Sequence, residues 1–124
     1  MTTLLFIEDD RAIHKLALRH LQKAGFDVVV AASGEEALRA AERGIDAAVV
    51  DLGLPGISGV RVIESLRAEE RTARVPIVVA SGRHDVQDHA LALECGADAF
   101  LVKPIDWKAL ESELRRLLLE RGPA

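Results

Sequence analysis

The sequence holds a single cysteine, Cys95, so no disulfide can close within the chain and a bridge-stapled fold is excluded. Positive charge is not in excess: 16 Lys and Arg stand against 20 Asp and Glu, for a net charge of −4. Binding of nucleic acid by the chain itself, which normally needs a basic face, is therefore disfavoured. No apolar run approaches the ~20 residues of a membrane span. Met1-Thr2-Thr3 is followed by only four apolar residues, Leu4 to Ile7, without the basic start and longer apolar region of a signal peptide. Internal repeats, low-complexity tracts and charge blocks are also missing. These absences predict a soluble, cytoplasmic protein without membrane association. Its 124 residues, 49% of them hydrophobic, suit one domain with a real core.

What is present is an alternation. Leu4 to Ile7 is a short continuous apolar run, as in a parallel strand buried on both faces. Ile13, Leu16, Ala17, Leu21 and Ala24 then recur at helical spacing up to Gly25. Phe26 to Val30 predicts a second strand. Ser33 and Glu36 form a capping-box pattern for a helix carrying Ala37, Leu38 and Ala41. Ile45 to Val50 predicts a third strand that ends at Asp51, followed by the glycine- and proline-rich stretch Leu52 to Gly59. Val60, Ile63 and Leu66 mark a third helix. Val75 to Ala80 reads as the fourth strand, with a helix over about Asp85 to Cys95 presenting Val86, Ala90 and Leu93. Ala99 to Val102 reads as the fifth strand. A last helix from near Asp106 shows Trp107, Leu110, Leu114, Leu117 and Leu118. Five β-α units with short loops predict an α/β, doubly wound, flavodoxin-like (βα)5 fold with a parallel sheet in the order 2-1-3-4-5.

The strand tips carry the chemistry. Glu8 and Asp9 follow the first strand, Asp51 the third, Ser81 the fourth and Lys103 the fifth. The second ends at Ala31-Ala32, and in the predicted order it is the outer edge. Four polar tips thus lie side by side, roughly 5 Å from one strand to the next. Carboxylates so close repel one another, and a hard divalent cation such as Mg²⁺ resolves the conflict. Asp51 would give the metal one oxygen and keep the other as a nucleophile. Lys103 and the Ser81 hydroxyl would meet phosphoryl oxygens, making a site for phosphoryl transfer.

Four stretches occur in order at these spacings: Ile7-Glu8-Asp9-Asp10, Asp51 to Gly56 with Gly59, Ala80-Ser81-Gly82, and Gly96 to Pro104. Through them the chain resembles, over essentially its whole length, the receiver domain of two-component response regulators. The resemblance implies one receiver domain over 1–124 with no effector domain. Asp51 is then the phosphoacceptor, served by a sensor histidine kinase or a histidine phosphotransfer protein. Glu8, Asp9, Asp51 and the Gly53 carbonyl are the implied Mg²⁺ ligands. Ser81 is the implied switch hydroxyl, Phe100 the switch aromatic, and Lys103 the phosphoryl partner, with a cis bond to Pro104. The domain would be no enzyme beyond its own phosphorylation and dephosphorylation. Its implied output is the fourth helix, fifth strand and fifth helix around Leu91, Phe100 and Trp107, for a downstream protein, a parent-chain effector or a homodimer. The sequence departs from the common pattern at Glu8, usually aspartate, and at Gly82, usually alanine. Gly53 and Arg83 occupy two variable flanking positions. Family members with a winged-helix effector often carry an acid where Ala99 stands, which favours a stand-alone or hybrid setting.

Blander readings exist for each residue alone. Asp9 or Asp10 caps a helix, Lys103 is a surface lysine, Ser81 belongs to a turn and Phe100 is core. Their fall on adjacent tips outweighs this. His84, Asp85, Asp88 and His89, at one-turn spacings, read as a solvated helix start rather than a metal site. His14 and His20 read as surface residues, and Cys95 as a small filler. The rival activity is an Asp-nucleophile phosphohydrolase of small phosphoesters. Such enzymes place a second aspartate two residues after the nucleophile, where this chain has Gly53.

Overall fold

A computed structural model describes residues 1–82 and 86–121. Its elements alternate: β1 (Thr3–Ile7), α1 (Arg11–Lys23), β2 (Asp27–Ala31), α2 (Gly34–Ala41), β3 (Ala47–Asp51), α3 (Gly59–Ala68), β4 (Ile77–Ser81), α4 (Val86–Cys95), β5 (Ala99–Val102) and α5 (Trp107–Arg121). The five strands form one parallel sheet in the order β2-β1-β3-β4-β5, as expected. Arg83, His84 and Asp85 lie outside the described residues.

Side chains alternate between the two faces of a strand, and here each face meets a helical layer. Leu5, Ile7, Val50 and Val79 point into a core with Ala37, Ile63, Leu66 and Ala92 of α2, α3 and α4. Leu4, Phe6, Val49 and Val78 point the other way, against Ala17, Leu21, Leu110 and Leu114 of α1 and α5. Burial of each Val, Leu, Ile or Phe among them contributes ~1.5–3 kcal/mol, and this double burial explains the unbroken apolar runs of β1, β3 and β4.

Caps fix where the helices begin, and hence where the loops over the sheet can go. The Asp10 side chain accepts from Ala12 N (2.8 Å), Ser33 from Glu36 N (3.1 Å), and Ser58 from Arg61 N (3.3 Å). Asp106 does the same for Ala109 N (3.1 Å). The loss of such a cap typically costs ~1 kcal/mol. The Glu36 carboxylate accepts from Ala32 N (3.1 Å), one residue before the cap, rather than from Ser33 N as in the reciprocal cap read from the sequence. Away from the strand tips, Arg67 ties α3 to the start of the last β-α unit. It donates to the carbonyls of Val75 (2.6 Å) and Gly96 (3.0 Å) and to Asp98 Oδ2 (3.0 Å), which also accepts from Ile77 N (2.8 Å).

Some details differ from the sequence reading. β4 begins at Ile77 rather than Val75, and the Pro76 carbonyl still accepts from Ala48 N. Leu16, read as part of the inner stripe of α1, is exposed. On α4 the inward face is His89 and Ala92, while Ala90 and Leu93 are exposed. Residues Ala90 to Leu93 are all apolar, so periodicity alone did not single out one face.

Candidate functional site

Two strands, β1 and β3, deliver three acids, and β5 delivers a base to the same end of the sheet. Glu8 follows β1 directly, and its backbone N–H is held by the Ala31 carbonyl (3.0 Å). Asp51 is the last residue of β3, buried, with its Oδ1 accepting from Gly53 N (3.0 Å). Lys103, just past β5, puts Nζ 2.6 Å from Glu8 Oε1 and 3.2 Å from Asp51 Oδ2. Its backbone N–H is fixed by the Ser81 carbonyl (2.8 Å), and its bond to Pro104 is cis. The turn after Asp51 is packed from behind by Gly59. A Cβ there would stand 2.5 Å from the Asp51 carbonyl oxygen and 2.7 Å from Leu52 Cα.

The strand parity decides which tips can meet. Glu8 and Asp51 continue the alternation of Phe6 and Val49, and Lys103 that of Leu101, all on the α1/α5 side. Ser81 continues that of Ile77 and Val79, on the α2/α3/α4 side. Glu8, Asp51 and Lys103 are thus brought together, and Asp9, in the loop past β1, joins them, with one carboxylate oxygen from each of the three acids within 4.8 Å of the others. Ser81 stands at the adjacent tip, but its hydroxyl bonds to Nε2 of His89. Phe100 lies beyond it, 42% exposed, with its ring centroid 4.4 Å from that of His89.

The electrostatics follow from this packing. Burial pushes the Glu8 carboxyl up to about 7, helped by its bond to Asp51 and opposed by Lys103. Burial alone would lower the Lys103 pKa. The bond to Glu8 and the charges of Asp51 and Glu8 outweigh it and hold the ammonium above its ordinary value. Three carboxyl groups share a single ammonium, so the cluster lacks counter-charge whenever all three ionise. All donors of the cluster are oxygens and two of its acids are buried. This is the donor chemistry of a hard divalent cation, and the residues fit one.

His89 is the residue that sequence reasoning misread. It is 4% exposed, not part of a solvated helix start. Its spacing of three from Ala92 was the available signal, hidden by the neighbouring polar residues. His14 is half-buried, with its ring Nε2 on the Glu8 carbonyl. His20 is exposed and stacks on Trp107 at 5.3 Å. Cys95 ends α4 half-buried, and burial pushes its thiol pKa up, as befits a filler.

A buried acid on the central strand of a (βα)5 sheet, flanked by an acidic pair and a lysine, defines a class of single-site α/β domains. The chain belongs to the response regulator receiver domain family, whose model matches residues 4–115, and so to two-component signalling. It is 40% identical over 119 residues to the transcriptional regulatory protein PrrA of Mycobacterium tuberculosis, covering 95% of this chain and 50% of the relative. The chain therefore spans about half the length of the curated relatives it matches. Among solved structures, a putative response regulator from Chloroflexus aurantiacus superposes with a TM-score of 0.89 at 32% identity, covering 95% of this chain and 98% of that one. The receiver domain of the sensor histidine kinase PA1611 from Pseudomonas aeruginosa, solved with magnesium coordinated in its active site cleft, gives 0.86 at 30% identity, covering 94% and 96%. Among the described residues, no helix is long and apolar enough to cross a membrane.

Proposed function

We propose that the chain is a phosphorylation switch in which Asp51 accepts a phosphoryl group from a histidine kinase or a histidine phosphotransfer protein. One observation carries this reading: a buried Asp51 whose Oδ2 is 3.2 Å from Lys103 Nζ while Glu8 and Asp9 face it within cation-binding distance. In the transfer an Asp51 oxygen attacks phosphorus. The new O–P bond forms as the bond from phosphorus to the donor's imidazole nitrogen breaks. Lys103 meets the charge on the phosphoryl oxygens. Glu8, Asp9, Asp51 and the Gly53 carbonyl would hold Mg²⁺, and the magnesium-bound P. aeruginosa receiver supports that assignment. The bound ion would supply charge neutralisation at the phosphoryl oxygens.

The added charge on Asp51 shifts an equilibrium between two surface states, with Ser81 and Phe100 as the switch pair. The output face is α4, β5 and α5. It exposes Leu91 (44%), Phe100, Leu93 and Val102, a set suited to a protein partner or a second copy of the chain. The partner is an effector or a downstream protein, met in the cytoplasm, rather than nucleic acid bound by this domain.

The test is incubation with acetyl phosphate and Mg²⁺, followed by intact-mass measurement. One added phosphoryl mass per chain, absent from Asp51→Asn, is expected. No modification of a folded protein overturns the reading, and turnover of a phosphoester panel would instead favour a phosphohydrolase. Against that rival stands Gly53, at the position of the second aspartate, which offers only its N–H to Asp51 (3.0 Å).

A further inference from the structure

His89 touches both members of the switch pair. Ser81 is 1% exposed and its hydroxyl bonds to His89 Nε2, while the ring of the same histidine lies against that of Phe100, with centroids 4.4 Å apart. Ser81 also sits on the α4 side of the sheet, opposite in parity to Asp51, Glu8 and Lys103. Whichever of the two groups donates, the bond fixes Oγ toward α4.

We propose that His89 is a positioning residue that latches the resting state, holding the Ser81 hydroxyl on α4 and Phe100 outward over its ring. This rests on the reading of Asp51 as phosphoacceptor. For Ser81 to reach a phosphoryl oxygen, the His89 bond must break. A buried hydroxyl does not stay unpaired at low cost, so its exchange of partner is tied to the arrival of the phosphoryl group. For Phe100 to move inward, it must displace the imidazole on which it lies. One side chain thereby couples the strand tip to the output surface, and it opposes activation until phosphorylation outcompetes it.

The latch predicts a sign opposite to that of a supporting residue. His89→Leu keeps an apolar contact for Phe100 but strands the Ser81 hydroxyl in the resting state. Binding of beryllium trifluoride with Mg²⁺, a stable phosphoryl analogue, should therefore tighten about three- to tenfold, the range set by one buried hydrogen bond. His89→Gln, whose amide reaches the position of Nε2, should restore affinity close to that of the parent chain. In a Ser81→Ala background, His89→Leu should change nothing, because the latch acts through that hydroxyl. Fluorine NMR titration reads the affinities and thermal unfolding checks that each variant folds. Unchanged or weaker binding in His89→Leu overturns the proposal, as does a Gln variant as tight as Leu or equal tightening without Ser81. If the parent chain itself fails to bind the analogue, the phosphoacceptor reading falls and the latch with it.

Discussion

Lys103 is the residue on which the site's charge balance turns. It contacts Glu8 at 2.6 Å and Asp51 at 3.2 Å, so its removal leaves the acids facing each other with no counter-charge. Lys103→Met should slow phosphorylation from acetyl phosphate by about 100-fold, the scale of losing one preorganised electrostatic partner. The rate of mass gain at fixed Mg²⁺ measures it. Glu8 gives a pH signature in the metal-free protein. Its folded pKa of about 7 lies above the unfolded value of about 4.3, so the fold binds the proton more tightly than the unfolded chain. The stability this contributes is full below the unfolded pKa and is lost as pH rises through about 7. Thermal unfolding in chelator should show this decline, and Glu8→Gln should lack it. The four charged residues of the site were legible in the sequence, because a carboxylate or ammonium at the end of an apolar strand stands out. The direction of Ser81 was less so. It depends on which helical layer each face of β4 meets, and both faces of that strand are apolar and buried, so its sequence does not tell them apart.

At the scale of elements, the loop after β3 is held as firmly from behind as from the site. Gly59, the first residue of α3, lets that helix approach the backbone of Asp51 and Leu52. Gly59→Ala places a methyl 2.5 Å from the Asp51 carbonyl. A loss of about 1–3 kcal/mol, the usual cost of overpacking, is expected in denaturant unfolding, with a slower phosphorylation as Asp51 shifts. Gly59 was visible in the sequence as part of a motif, but the reason for it required the packing of α3 on the strand tip. Helix α4 shows the opposite limit. Its apolar run Ala90 to Leu93 does not define one face, so the burial of His89 and Ala92 is set by what β4 and β5 present rather than by the helix's own pattern. The capping residue Ser33 was legible because a side-chain cap is a local matter.

For the molecule as a whole, direction and layering of the sheet followed from five β-α repeats and double burial, while the strand order came from the precedent of doubly wound folds, and the fold agrees with all three. The output face was implied by family resemblance alone. The exposure of Leu91, Leu93, Phe100 and Val102 now gives that proposal a physical basis. The expectation of a stand-alone or hybrid setting, drawn from Ala99, gains no support from relatives that are named transcriptional regulators and are about twice as long. The proposed switch stands or falls with Asp51 as the single acceptor. Its most direct test is to phosphorylate the chain with acetyl phosphate and Mg²⁺, trap the acyl phosphate by borohydride reduction, and map the product by peptide mass spectrometry. Reduction of Asp51 alone, to homoserine, is expected, and none without Mg²⁺. Labelling at another residue, or no labelling of a folded chain, would contradict it.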